Sequence, residues 1–210
     1  SMRKLHPHQI PSAIPPRQAV AAVGQAGLIL AYENAFDRDG RKVAQILLTA
    51  EDMTNRKRYL NARNTLNTLL EWGVVPIVNE NDTVMVEEIK FGDNDNLAAV
   101  IALLMDADLL INLTDIDGLY NKDPRVHADA RLLPEIDTIG KDIERYAGEI
   151  PGALGTGGML TKIKAARKVT AAGIPMVIAN GTQPDILRRL FRGSPSGTFF
   201  LPRTERLSSR

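Results

Sequence analysis

Short apolar runs alternate along this chain with longer segments in which apolar residues recur every three or four positions. The runs KVAQILLT (42–49), VVPIV (74–78), DLLINLTD (108–115), 174–179 and GTFFLP (197–202) are brief and bounded by polar or turn residues. That pattern predicts buried strands. Helical spacing covers RQAVAAVGQAGLILAYENAF (17–36), with Pro15 and Pro16 placed to open the helix. It covers AEDMTNRKRYLNARNTLNTLLEWG (50–73) as one amphipathic helix stopped at Gly73, and then DNLAAVIALLMDA (95–107), 159–172 and QPDILRRLF (183–191). A further short helix is expected around Lys141 to Tyr146. TVMVEEIKF (83–91) alternates enough to predict a small β-ribbon, while residues 1 to about 14 read as loop and RTERLSSR as a solvated tail.

Apolar strands separated by helices argue for a parallel sheet covered on both faces, with ligands at the carboxyl ends of the strands. Polar clusters lie at those ends: NEND after 74–78, TDIDGLY after 109–113 and NGTQP after 174–179.

Composition narrows the function classes. The 210 residues give room for one large domain or two small ones and a sizeable core, and 44% hydrophobic with 24% charged is ordinary for a soluble protein. Lys plus Arg total 26 against 25 Asp plus Glu, a formal net charge of +1, which gives no electrostatic reason to expect nucleic acid or a membrane surface as partner. The absence of cysteine excludes disulfides, thiolate metal sites and a cysteine nucleophile. No run approaches the roughly 18 apolar residues of a membrane span and the N-terminus lacks an apolar signal core, so a cytoplasmic protein is expected.

The densest candidate chemistry is GALGTGGMLTK (152–162). It is neither a Walker A loop, since Gly158 stands where the lysine belongs, nor a G-x-G-x-x-G fingerprint. Glycines nevertheless let backbone N–H groups approach an anion, a helix N-terminus adds partial positive charge, and Lys162 falls in its first turn. A flexible loop and a surface lysine would read the same way. In FGDNDNLAAV (91–100) one Asp or Asn suffices to cap the following helix, yet Asp93, Asn94, Asp95 and Asn96 come in succession. The surplus suits an ammonium group, a lysine to be oriented, or a metal; the ligand spacing of an EF-hand is absent. NENDTV (79–84) and LTDIDGLYNKDP (113–124) are further clusters, and turn chemistry does not explain Thr114 and Asp115 coming straight off a strand. The histidines, His6, His8 and His127, fall in loops without metal spacing, and the Asn112 and Asn180 sequons have no secretory context.

Taken together, LLTAEDMTNRKRYLNARNTL, VVPIVNENDTV, IKFGDNDNLAA, LTDIDGLYNKDP, GTGGMLTKIKAA and VIANG resemble the amino-acid kinase family over most of the chain. TDxxGLYxxDP and GGMxxKxxAA are shared widely in that family, whereas GDNDNLAA with NENDTV is similar to its glutamate 5-kinases. The resemblance implies an α/β three-layer αβα sandwich with a mainly parallel central sheet. It implies transfer of phosphate from ATP, with Mg2+, to the side-chain carboxylate of L-glutamate, the first step of proline biosynthesis. Carried over by motif, Asp82 and Asn94 would contact glutamate and Asp95 would organise the catalytic lysines. Thr114 and Asp115 would contact nucleotide, and Thr156, Gly157, Gly158, Met159, Leu160, Thr161 and Lys162 would form the phosphate loop. Lys162 would face the phosphoryl group in transfer. No protein residue is expected to bind metal directly. A carboxylate acceptor is ionised at neutral pH, so Asp95 is better cast as an orienter than as a general base.

The family's N-terminal lysine strand and its serine- and glycine-containing loop have no counterpart here, and neither has a C-terminal PUA domain. The expectation is therefore one amino-acid kinase domain over 1–205, incomplete at its N-terminus. About 1–110 would bind the acceptor and about 111–205 the nucleotide. The protein is expected to form a homo-oligomer, with the apolar and small residues of 17–36 able to pack between subunits. Two further readings stay open: a non-catalytic fragment retaining nucleotide binding or self-association, and a kinase of the same fold acting on aspartate, N-acetylglutamate, carbamate or UMP.

Overall fold

Residues 13–84, 93–149 and 158–203 are described by a computed structural model of the chain. They divide between two units, 1–91 and 92–210.

In the first unit, Ala13 is extended and the prolines occupy the opening positions of α1 (Ile14–Asp37), where a missing N–H costs nothing. This helix carries apolar and small residues all round and none of them is buried. Strand β1 (Val43–Leu48) pairs in parallel with β2 (Val75–Glu80), in a register running from Val43 opposite Val75 to Leu48 opposite Glu80. The crossover between them is helical, but it is not the single helix expected over 50–73. It is α2 (Ala50–Thr54) followed by α3 (Arg56–Glu71). The break is Asn55, extended at ψ 112°, whose side-chain oxygen accepts from the N–H groups of Lys57 and Arg58 at 3.1 Å each. An asparagine that caps a new helix competes with continuation of the old one. Thr49 and Asp52 form a reciprocal capping box at the start of α2. Gly73 ends α3 as the sequence predicts, in the left-handed region at φ +70°, while its N–H donates to the Leu70 carbonyl. After β2 the chain enters a turn at Asp82 to Val84, so the ribbon expected over 83–91 does not begin there; 85–92 lie outside the described residues.

The second unit is built on α4 (Asn94–Leu104), β3 (Leu110–Thr114), β4 (Glu135–Ile136), α5 (Lys141–Glu149), α6 (Met159–Ala171), β5 (Met176–Asn180), α7 (Ile186–Phe191) and β6 (Thr198–Phe200). The sheet order is β3-β5-β6-β4, with β3–β5 and β4–β6 parallel and β5–β6 antiparallel. Between β5 and β6 the chain passes through α7 and turns at Gly193 and Gly197, both in the left-handed region, and β6 runs back with Thr198 opposite Ile178. β4 is two residues long, below what periodicity can register.

The core of this unit joins Ala99 and Ala102 of α4 to Ile163, Ala165, Ala166 and Val169 of α6, over Met176, Ile178 and Phe200 of the sheet. Small residues on both helices let them approach closely. That approach brings the first turn of α6 beside the first turn of α4. Among the described residues no helix is long and apolar enough to cross a membrane.

Candidate active site

The DNDN cluster separates into distinct tasks. Asp93 is the N-cap of α4, its Oδ1 accepting from the Asn96 N–H at 2.7 Å. Asn94, the first helical residue, is exposed, and the Asn96 side-chain oxygen accepts from Lys168 Nζ at 2.6 Å. Asp95 is not needed for capping. It is 9% exposed and receives donors from three side chains. Asn112 Nδ2 reaches Oδ1 at 2.7 Å and Thr161 Oγ1 reaches Oδ2 at 2.6 Å. Lys162 Nζ straddles the two oxygens at 3.2 and 3.1 Å. Position in the first turn of α4 adds favourable helix-dipole charge for this carboxylate.

Lys162 stands in the first turn of α6, where a cation opposes the helix dipole; the Asp95 carboxylate is what offsets that cost. The N-cap, Gly158, offers no capping side chain, so the leading N–H groups of α6 carry no side-chain acceptor there. Met159 is buried at 3% exposure and Leu160 points outward at 37%. Any contribution of Met159 to a ligand therefore comes from its backbone. The remaining two predicted loop positions, Thr156 and Gly157, lie outside the described residues.

Thr114 ends β3, its carbonyl accepting from the Gly181 N–H at 2.8 Å and its hydroxyl donating to the exposed Asp115 at 3.2 Å. The loop they open is tied down through Asp117. Asn180 Nδ2 and Gln183 Nε2 both donate to its Oδ1, at 2.9 and 2.7 Å, and the Tyr120 hydroxyl donates to Oδ2 at 3.3 Å. Burial and the adjacent Asp117 carboxylate push the Tyr120 hydroxyl above its ordinary value, so it stays a donor at neutral pH. Farther along, Asp123 is gripped by Arg125 through Nε and a terminal nitrogen, each at 2.9 Å.

Asp82 belongs to the first unit, half-buried in the turn after β2. Burial raises its carboxyl above the ordinary range and the Arg17 guanidinium pulls it partly back. The structure thus brings Asp95, Thr161 and Lys162 together and sets Thr114 and Asp115 at a strand end. Sequence reasoning missed Asn112 as a member of these networks, and it noted Asn180 and Gln183 within the polar NGTQP cluster without assigning them a partner. The available signal for Asn112 was a lone amide inside the apolar run LLINL.

The family model described as the amino acid kinase family matches residues 3–180. The chain belongs to the amino acid kinase family. Curated relatives include the glutamate 5-kinases of Geobacter metallireducens, 54% identical over 95% of this chain, and of Meiothermus ruber, 54% identical over 100% of it. The chain spans about half the length of these relatives, 54% and 55% respectively. Among solved structures, UMP kinase from Ureaplasma parvum superposes with a TM-score of 0.63 at 13% identity, over 95% of this chain and 75% of that one. An isopentenyl phosphate kinase in a substrate complex gives 0.59 at 24% identity, over 88% of this chain and 72% of that one. These two likenesses establish the amino acid kinase fold, α/β with parallel and mixed sheets.

Proposed function

We propose that this protein phosphorylates the side-chain carboxylate of L-glutamate with ATP, giving L-glutamyl 5-phosphate and ADP, the first step of proline biosynthesis. The observation that carries the reading is the state of Asp95. Donors from Asn112, Thr161 and Lys162 occupy both carboxylate oxygens, which supports this residue as an orienter of those groups. A site that commits its buried Asp95 to orienting neighbours suits an acceptor that is already ionised, and a carboxylic acid is ionised at neutral pH. Glutamate itself is taken from the curated relatives, half of whose length this chain matches at 54% identity.

In this reading, Lys162 faces the phosphoryl group, held by Asp95, and offsets repulsion between two anions as they approach. The first turn of α6, from Gly158 to Lys162 and without a side-chain cap, together with Thr156 and Gly157 before it, lines the phosphates, while Thr114 and Asp115 contact the rest of the nucleotide. Asp82 and Asn94 contact glutamate. The chain up to about residue 110 serves the acceptor and about 111–205 the nucleotide. No group of three or more His, Asp or Glu side chains suited to a metal occurs among the described residues. Mg2+ would be carried mainly by phosphate oxygens, which needs one or two protein groups at most. When bound, ATP with Mg2+ supplies the phosphoryl group and neutralises part of its charge. A cytoplasmic homo-oligomer belongs to the same proposal, since Val23, Leu28 and Leu30 of α1 remain exposed for self-association.

The test is ATP- and Mg2+-dependent formation of acyl phosphate, trapped as hydroxamate, with glutamate, aspartate and N-acetylglutamate as acceptors. Product with glutamate alone supports the assignment. Product with another acceptor overturns the specificity, and nucleotide binding without product from any acceptor favours a non-catalytic role.

A further inference from the structure

Asn112 lies in the middle of β3, opposite Ile178 of β5 and among Leu110, Ile111 and Leu113 of an otherwise apolar run. It is 9% exposed. Burying an amide there is unfavourable unless its polar atoms are matched, and a leucine would satisfy a strand at this place at lower cost. The match is made far away in sequence, to Asp95 on α4.

The geometry of that contact is specific. Asn112 Nδ2 holds Oδ1 of Asp95 at 2.7 Å and the Thr161 hydroxyl holds Oδ2 at 2.6 Å, one neutral donor on each oxygen. Between them Lys162 Nζ sits almost equidistant from both, at 3.2 and 3.1 Å. The Thr161 arm is the weaker of the two clamps. Its single proton has a second acceptor within reach, the Gly158 carbonyl at 2.8 Å, so it cannot serve Asp95 and Gly158 at once. An amide has two protons and no such conflict.

We propose that Asn112 is a positioning residue. Its amide fixes the plane of the Asp95 carboxylate and thereby fixes where the Lys162 ammonium lies. Without it the carboxylate turns on the Thr161 hydroxyl alone, and Lys162 loses its symmetric seat. The catalytic consequence rests on the reading of Lys162 as the residue facing the phosphoryl group; the positional consequence does not.

Asn112→Leu separates the two. Folded variant and parent are labelled briefly with acetic anhydride, and acetylation of Lys162 is measured by peptide mass spectrometry against exposed Lys164 of the same helix. The ratio of Lys162 to Lys164 labelling is expected to rise about threefold or more once the charge-assisted clamp is lost. In the glutamate assay kcat falls about tenfold while KM for glutamate and ATP moves less than about twofold, the pattern of a misplaced group. If leucine prevents folding, Asn112→Ser draws the donor out of reach with less bulk and is read the same way. An unchanged labelling ratio in a folded variant overturns the proposal, as does a rise in KM with kcat intact. A raised ratio in a protein whose parent does not turn over glutamate sustains the positioning role and sinks the proposed function.

Discussion

Replacing Lys162 with methionine keeps most of the side-chain volume and removes the ammonium from Asp95. The two side chains are each 12% exposed with a 3.1 Å contact. At an effective dielectric of about 20, charges that close attract by roughly 5 kcal/mol. Release of the Lys162 desolvation cost offsets about half of that, and Asp95, which stays buried, keeps its bonds from Asn112 and Thr161 in the variant. The expected loss of stability is therefore about 2–3 kcal/mol, read from the midpoint of urea unfolding at constant slope. Turnover falls by about 10²–10³, as for loss of one preorganised donor at a developing charge. Adding Asp95→Asn removes the stranded carboxylate, so the double variant regains most of the lost stability and none of the turnover. A Lys162→Met protein within about 0.5 kcal/mol of the parent, or with kcat within about threefold, refutes the pairing and the role built on it.

Asp82→Asn is expected to raise the melting temperature at pH 7. Burial lifts the native carboxyl above its ordinary value, so its ionisation weakens folding as pH rises, and the difference fades below about pH 4. The same variant raises KM for glutamate about tenfold if Asp82 holds that substrate. Asp52 behaves oppositely. Burial opposes its ionisation, but the Thr49 N–H and hydroxyl together with Arg58 outweigh it and lower the carboxyl. The stability Asp52 adds over Asp52→Asn is full above about pH 4 and is lost as pH falls through the lower native value, measurable by denaturation at a series of pH values. Gly197→Ala drives a Cβ into the Ile178 carbonyl oxygen at φ +92° and costs about 3 kcal/mol. Gly193→Ala, at φ +75° in open space, costs only about 1 kcal/mol in the same unfolding assay.

Much of the fold was legible because its signals are local. The apolar run 42–49 became Val43–Leu48, and Gly73 stopped its helix. The break at Asn55 was not legible, since helical apolar spacing continues through it and only the side chain's choice to cap Lys57 and Arg58 divides it. Nor was the antiparallel β6, whose direction shows only in its pairing with β5 and β4. The site divides similarly. Surplus acidic residues beyond the one needed for capping flagged Asp95, and a lysine against the helix dipole flagged Lys162. That the two meet, with Asn112 and Thr161 on the flanking lone pairs, is a contact between α4, β3 and α6 that no local spacing encodes.

The central claim, attack by a glutamate carboxylate on ATP, is tested most directly by following its oxygen. The protein is given ATP, Mg2+ and glutamate labelled with oxygen-18 in the side-chain carboxylate, and product is cleaved with hydroxylamine at its carbonyl carbon. The carboxylate oxygen that joined phosphorus then leaves with the phosphate, so one labelled oxygen in the released inorganic phosphate is the predicted result. Glutamate-dependent phosphate release without label would contradict it.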